Sequence, residues 1–222
     1  MYLDLHPFIY CFDIACGIFA FGYGAHVCFA GRGVLFLQIV TCAFGCFLLG
    51  DIYNLCYFFC LGEYIGPYKN GFGIGSLGYI GGLVFLFSSY YGAMDRIGDD
   101  RSKKLFKFRL IPLIPTFFNI VYYILFYLNS KNNIYFLVCM ILLSAVSYFA
   151  FKHMILPDAP NGILKSLRMY NFLILVFCLF HSLHIVFQII YKDAARILEI
   201  FTGIITLVII PVATRGVKKW YT

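Results

Sequence analysis

The chain reads as long apolar runs broken by short polar turns, without the alternation of apolar and polar positions that barrel strands require. A membrane-crossing helix needs about 20 mostly apolar residues, because each residue rises about 1.5 Å through a hydrocarbon core of about 30 Å. Seven stretches meet or approach that length: 8–30, 34–61, 71–94, 110–129, 134–151, 169–191 and 196–214. The second is longer than an upright helix needs, which predicts tilt. The expected fold is all-α, a polytopic seven-transmembrane-helix bundle forming a single domain over residues 1–222. Seven spans fit two three-helix units, 1–3 and 5–7, joined by the fourth. Spans 2 and 6 carry a faint echo of this in Asp51 with Asn54 and His181 with His184, each pair three residues apart. Transporters with that layout carry a proline-glutamine signature that is missing here.

Small residues and prolines refine the picture. Gly71, Gly75, Gly78 and Gly82 recur at spacings of four, three and four, which puts them on one face of span 3, and Ser89 continues the seam. Small residues let a second helix backbone approach closely, and such seams drive helix association in lipid. The preferred reading is a contact inside the bundle; the alternative is a homodimer face. Pro112 and Pro115 fall in the first turns of span 4, where a missing amide costs little. Pro211 lies deeper in span 7 and predicts a kink. Pro157 and Pro160 mark a turn-rich connection.

Composition confirms the class. Apolar residues make up 62% of the chain, charged residues 12%, and the mean hydropathy is +0.87. A water-soluble domain is excluded, since one aqueous core cannot hide that much apolar surface. The net charge of +7 reads as a topology signal rather than a nucleic-acid footprint. With the N-terminus outside and the C-terminus cytoplasmic, thirteen of the seventeen Lys and Arg fall inside. Only Lys69, Lys131, Lys192 and Arg196 fall outside, so the positive-inside rule selects this orientation. The expected location is a bacterial-type cytoplasmic membrane, with the first span retained because no basic n-region precedes it. The stretch Asp95–Arg109 reads as a charged face against anionic headgroups or as a docking surface for a cytoplasmic protein partner.

The nine cysteines read as small packing residues. Cys11 and Cys60, both near the outer face, form the one pair placed for a disulfide in an oxidising compartment. Tyr64, Tyr68, Tyr90, Tyr91, Tyr122, Tyr127, Tyr191 and Trp220 read as interfacial belts.

Ionisable groups inside spans cost a few kcal/mol at the helix centre and point to function. Asp51 and His181 lie about 15 Å from the outer ends of their spans, Asn54 and His184 about 10 Å, and Asp13 and Glu199 about 5–8 Å. Helical phase groups Asp51 with Asn54, groups His181 with His184 and Gln188, and groups Glu199 with Thr202 and Thr206. Spans 1, 2, 6 and 7 are therefore expected to enclose a polar pocket in the outer half, with Asn119 of span 4 as its floor. His26 and His153 lie at the opposite boundary, where a haem between them is a minor alternative. A carboxylate and an imidazole at one depth can hold a proton between them, as proton coupling requires. Asp51, His181 and His184 are also a candidate zinc set, although HxxH lacks the adjoining glutamate of a metallohydrolase. The structural alternative is a hydrogen-bond cluster that only fixes helix register.

The leading functional expectation is a small, proton-coupled permease that binds an unidentified small solute or ion and has no cofactor. A membrane sensor or interaction subunit acting through a cytoplasmic partner is the second. A membrane-embedded lipid-modifying enzyme is the third. Leu48-Leu49-Gly50-Asp51 resembles the LLGD stretch of lysoplasmalogenase-type membrane proteins, over those four residues. That family's early Lys-Pro pair and later histidine-bearing glycine segment have no counterpart here. A retinal pigment is excluded, because the last span lacks a Schiff-base lysine.

Overall fold

The long helices are apolar around nearly their whole circumference, so each can bury one side against neighbours and leave the other for lipid. The computed structural model describes residues 6–30, 33–61, 73–94, 106–129, 134–156, 163–190 and 192–221. Its principal helices are α1 (His6–Ala30), α2 (Leu35–Leu61), α3 (Ile74–Ser88), α4 (Leu113–Asn129), α5 (Ile134–Ile155), α6 (Arg168–Ile190) and α7 (Lys192–Tyr221). A π-helical turn, Ser89–Met94, continues α3, and short helices at Phe106–Leu110 and Ile163–Ser166 precede α4 and α6. The fold is an all-helical bundle of membrane character, in which six helices are long and apolar enough to cross a bilayer. The exception is α4, at 17 residues.

Six helices close a ring in the order α1, α2, α3, α5, α6, α7, with α7 packing back on α1. In this ring α4 stands outside and packs mainly on α5. Large side chains fill the interior: Tyr90, Tyr170, Phe44, Phe136, Leu83 and Leu143 are all fully buried. The outer surface carries Phe8, Phe19, Phe29, Phe117, Phe118 and Ile141. Such a surface would aggregate in water and is matched by acyl chains.

The glycine seam of α3 is spent on α2. A Cβ at Gly78 would stand 2.7 Å from the Cys46 carbonyl oxygen and 2.8 Å from the Gly50 Cα, so two backbones touch there. Gly82 faces the Phe47 ring, and Gly75 faces Asn54 and Tyr53. The intramolecular reading therefore holds for these three, and a homodimer face through them has no room. Gly71 lies outside the described residues.

Several expectations change. Tyr90 is no interfacial residue: it is completely buried and donates to Asn171 Oδ1 at 3.0 Å. The π-turn beginning at Ser89 aims it inward, whereas Tyr91 is exposed. His153, expected just beyond span 5, lies within the longer α5, is 1% exposed, and stacks on Tyr90 with centroids 5.7 Å apart. His26 is exposed on α1, which is not a ring neighbour of α5, so the haem pairing is dropped. The Cys11 and Cys60 thiols are both free. α7 runs seven residues past the expected end, through Pro211 to Tyr221. Tyr64, Tyr68, Pro157, Pro160 and Tyr191 lie outside the described residues, as do residues 95–105 of the proposed docking surface. The side chains of Tyr122, Tyr127 and Trp220 are likewise outside those described.

Gly78→Ala is expected to destabilise the bundle by about 1–3 kcal/mol, because backbone on both sides cannot yield to a methyl group. Gly81→Ala, whose Cβ would meet the Cys46 side chain at an ordinary contact distance of 3.5 Å, is expected to be neutral within about 0.5 kcal/mol. Thermal unfolding of both variants in one detergent checks this, and equal stability would contradict the close approach of α2 and α3.

Candidate functional site

Helical spacing places one polar group per turn on the inward faces of several helices. The ring brings those groups to a common level at one end. There they line a cavity of about 120 Å³. α1 contributes Tyr10 and Asp13; α2 contributes Asp51 and Asn54; α6 contributes His181 and His184; α7 contributes Glu199, Thr202 and Thr206. Phe44, Phe47, Phe136 and Phe177 complete an aromatic wall. The four helices expected from the sequence all take part, and α3 and α5 join them through Tyr79 and Tyr135. Asn119 does not: α4 lies outside the ring, so it cannot supply a floor. The side chain of Gln188 lies outside those described.

Tyr79 is the residue that sequence reading missed. Its hydroxyl donates to Asp51 Oδ1 and accepts from Asn54 Nδ2, the latter at 3.1 Å. The seam makes this reach possible. Gly75, one turn before Tyr79, leaves space that Asn54 Oδ1 occupies, and Gly50, beside Asp51, abuts the Gly75 carbonyl. The signal was present, since Tyr79 falls among glycines that had to face a partner helix. An aromatic residue in such a seam reads equally well as packing.

The histidines stack into the wall. The His181 ring lies 5.8 Å from Phe177 at 14°, 6.3 Å from Tyr79 and 6.4 Å from His184. His184 Nδ1 donates to the Ala195 carbonyl at 3.0 Å, across the α6–α7 connection. A carbonyl only accepts, so Nδ1 carries a proton, and Nε2 is the ring nitrogen that can gain or lose one. Asp13 Oδ1 is buried with no hydrogen-bond partner among the described residues. It occupies space left by Gly203, where a Cβ would stand 2.5 Å from it. Thr202 and Thr206 donate to carbonyls one turn earlier in α7, at 2.8 and 3.0 Å, which leaves their oxygens able to accept.

Size and donor set limit the chemistry. Pockets for drug-sized ligands run from about 300 to 1,000 Å³, whereas one water needs about 10–15 Å³ of probe-occupied space. The cavity therefore suits water, protons or a small ion better than a bulky solute in this conformation. Among the described residues, no three of His, Cys, Asp and Glu are arranged to hold a metal ion. The zinc set of Asp51, His181 and His184 is accordingly set aside.

Tyr79→Phe keeps the ring and removes both hydrogen bonds, with an expected cost of about 1–3 kcal/mol. In a double-mutant cycle with Asp51→Leu, unfolding free energies in detergent should give a coupling above about 0.5 kcal/mol. Strict additivity would show that the contact does not hold the site together.

Compared with known proteins, the chain matches no family model, no curated protein and no solved structure.

Proposed function

We propose that the chain is a small seven-span permease whose outer-half cavity loads and releases protons, alone or with a small solute. The observation that carries this reading is the convergence of Asp13, Asp51, Glu199, His181 and His184, from four helices, on one small cavity. Lipid cannot solvate such groups, and their insertion cost is recovered only where they meet water, a ligand or one another. A register-fixing cluster would satisfy its own polar atoms, yet Asp13 Oδ1 is left without a partner among the described residues.

Seven crossings follow if α4 also spans. Its 17 residues reach about 25 Å at 1.5 Å per residue. Tyr148, near the end of α5, donates to the Arg109 carbonyl at 3.2 Å. The chain thus enters α4 beside the end of α5 and returns to α5's start by residue 134. Without that crossing, the basic cluster Arg96–Arg109 and the group Lys152, Lys165 and Arg168 would fall on opposite sides of the membrane. With it, both face the cytoplasm together with the C-terminus, and the cavity lies at the outer end.

Reconstitution into liposomes enclosing a pH-sensitive dye tests the function. Wild-type protein is expected to dissipate an imposed pH gradient faster than protein-free liposomes. Asp51→Asn should lower that rate at least about tenfold, equivalent to about 1.4 kcal/mol on the barrier, with the melting temperature unchanged. Flux equal to that of empty liposomes, or undiminished in Asp51→Asn, would remove this function.

A further inference from the structure

A second cavity, distinct from the polar one, lies between α4 and α5. It has a volume of about 540 Å³ and is lined by Leu113, Ile120, Ile124, Leu137, Ile141 and Phe149, among others. Because α4 stands outside the ring, this groove faces the bilayer. Leu113 to Ile124 covers about 16 Å of helix at 1.5 Å per residue, close to the depth of one leaflet of a core of about 30 Å. A whole partner helix would need a seam along the full span, whereas one acyl chain needs only this length.

The end of the groove away from the polar cavity is basic. Lys107 and Arg109 sit in the short helix Phe106–Leu110, and Arg109 is held to the groove by the Tyr148 hydroxyl on its carbonyl, at 3.2 Å. Tyr148 itself lines the groove. An apolar slot one leaflet deep, with the basic residues Lys107 and Arg109 at its end, complements a lipid with an anionic headgroup.

We infer that the α4–α5 groove is a binding site for an anionic phospholipid, one acyl chain lying between the helices and the phosphate meeting Lys107 and Arg109. The site depends on membrane embedding but not on permease activity. The lipid fills the space that the outlying α4 leaves open and so fastens α4 to the ring.

The test uses purified full-length protein exposed to an equimolar mixture of phosphatidylglycerol and phosphatidylcholine with identical acyl chains, followed by native mass spectrometry. Wild-type protein is expected to retain phosphatidylglycerol in preference. Lys107→Gln and Arg109→Gln should each reduce that preference about fivefold, the effect of one cation near a phosphate. Both leave the backbone contact with Tyr148 in place. Ala145→Phe, which fills the groove, should reduce retention of either lipid. Equal retention of the two lipids by wild-type protein would overturn the inference. So would a preference unaffected by the charge variants, undiminished retention in Ala145→Phe, or a lipid-free dimer in place of a lipid-bound monomer.

Discussion

The structure depends on the contact between α2 and α3 at Gly50 and Gly78. Two backbones approach there with no side chain between them. That approach brings the Tyr79 hydroxyl to Asp51 and Asn54, which a larger residue in the seam would hold apart. In water such a hydrogen bond is nearly balanced by lost hydration. At membrane depth only the few waters a small cavity can hold compete for it, and an unmade bond leaves a costly unsatisfied polar group. The glycine seam is thus a packing device and also what makes the polar site affordable inside a membrane.

The rest of the site follows from closure of the ring. α7 packs on α1, and Gly203 gives Asp13 its place. α6 is tied to α7 through His184 and the Ala195 carbonyl. Polar groups from both halves of the ring therefore meet at one level, and an aromatic wall of Phe44, Phe47, Phe136 and Phe177 separates them from the layer below. That layer is differently built: Tyr90, Asn171 and His153 are buried in a stacked cluster, and no part of it lines the cavity. The outlying α4 belongs to neither layer.

Apolar run lengths revealed the helices, because a bilayer sets a minimum span and leaves few alternatives. The phase of Asp51, Asn54, His181, His184 and Glu199 was equally legible, since residues three or four apart share a face. Which helices touch was harder to read. Asn119 has the polarity and depth of a site residue, but nothing in the sequence shows that its helix lies outside the ring. Tyr79 was missed and Tyr90 misread for a related reason. A tyrosine suits an interfacial belt, a packed core or a hydrogen bond to a carboxylate, and only its neighbours decide. At Tyr90 the deciding feature is a π-turn, which shifts side-chain direction without leaving a mark in the apolar pattern.

Proton loading at this site requires that water reach Asp51 and that Tyr79 hold it. Infrared difference spectroscopy of wild-type protein against Asp51→Asn isolates the Asp51 carboxyl bands in lipid. Those bands should shift promptly on transfer from H₂O to D₂O, and shift again in Tyr79→Phe. Bands indifferent to both changes would place Asp51 among packed hydrocarbon, away from water and from Tyr79, and would contradict the account.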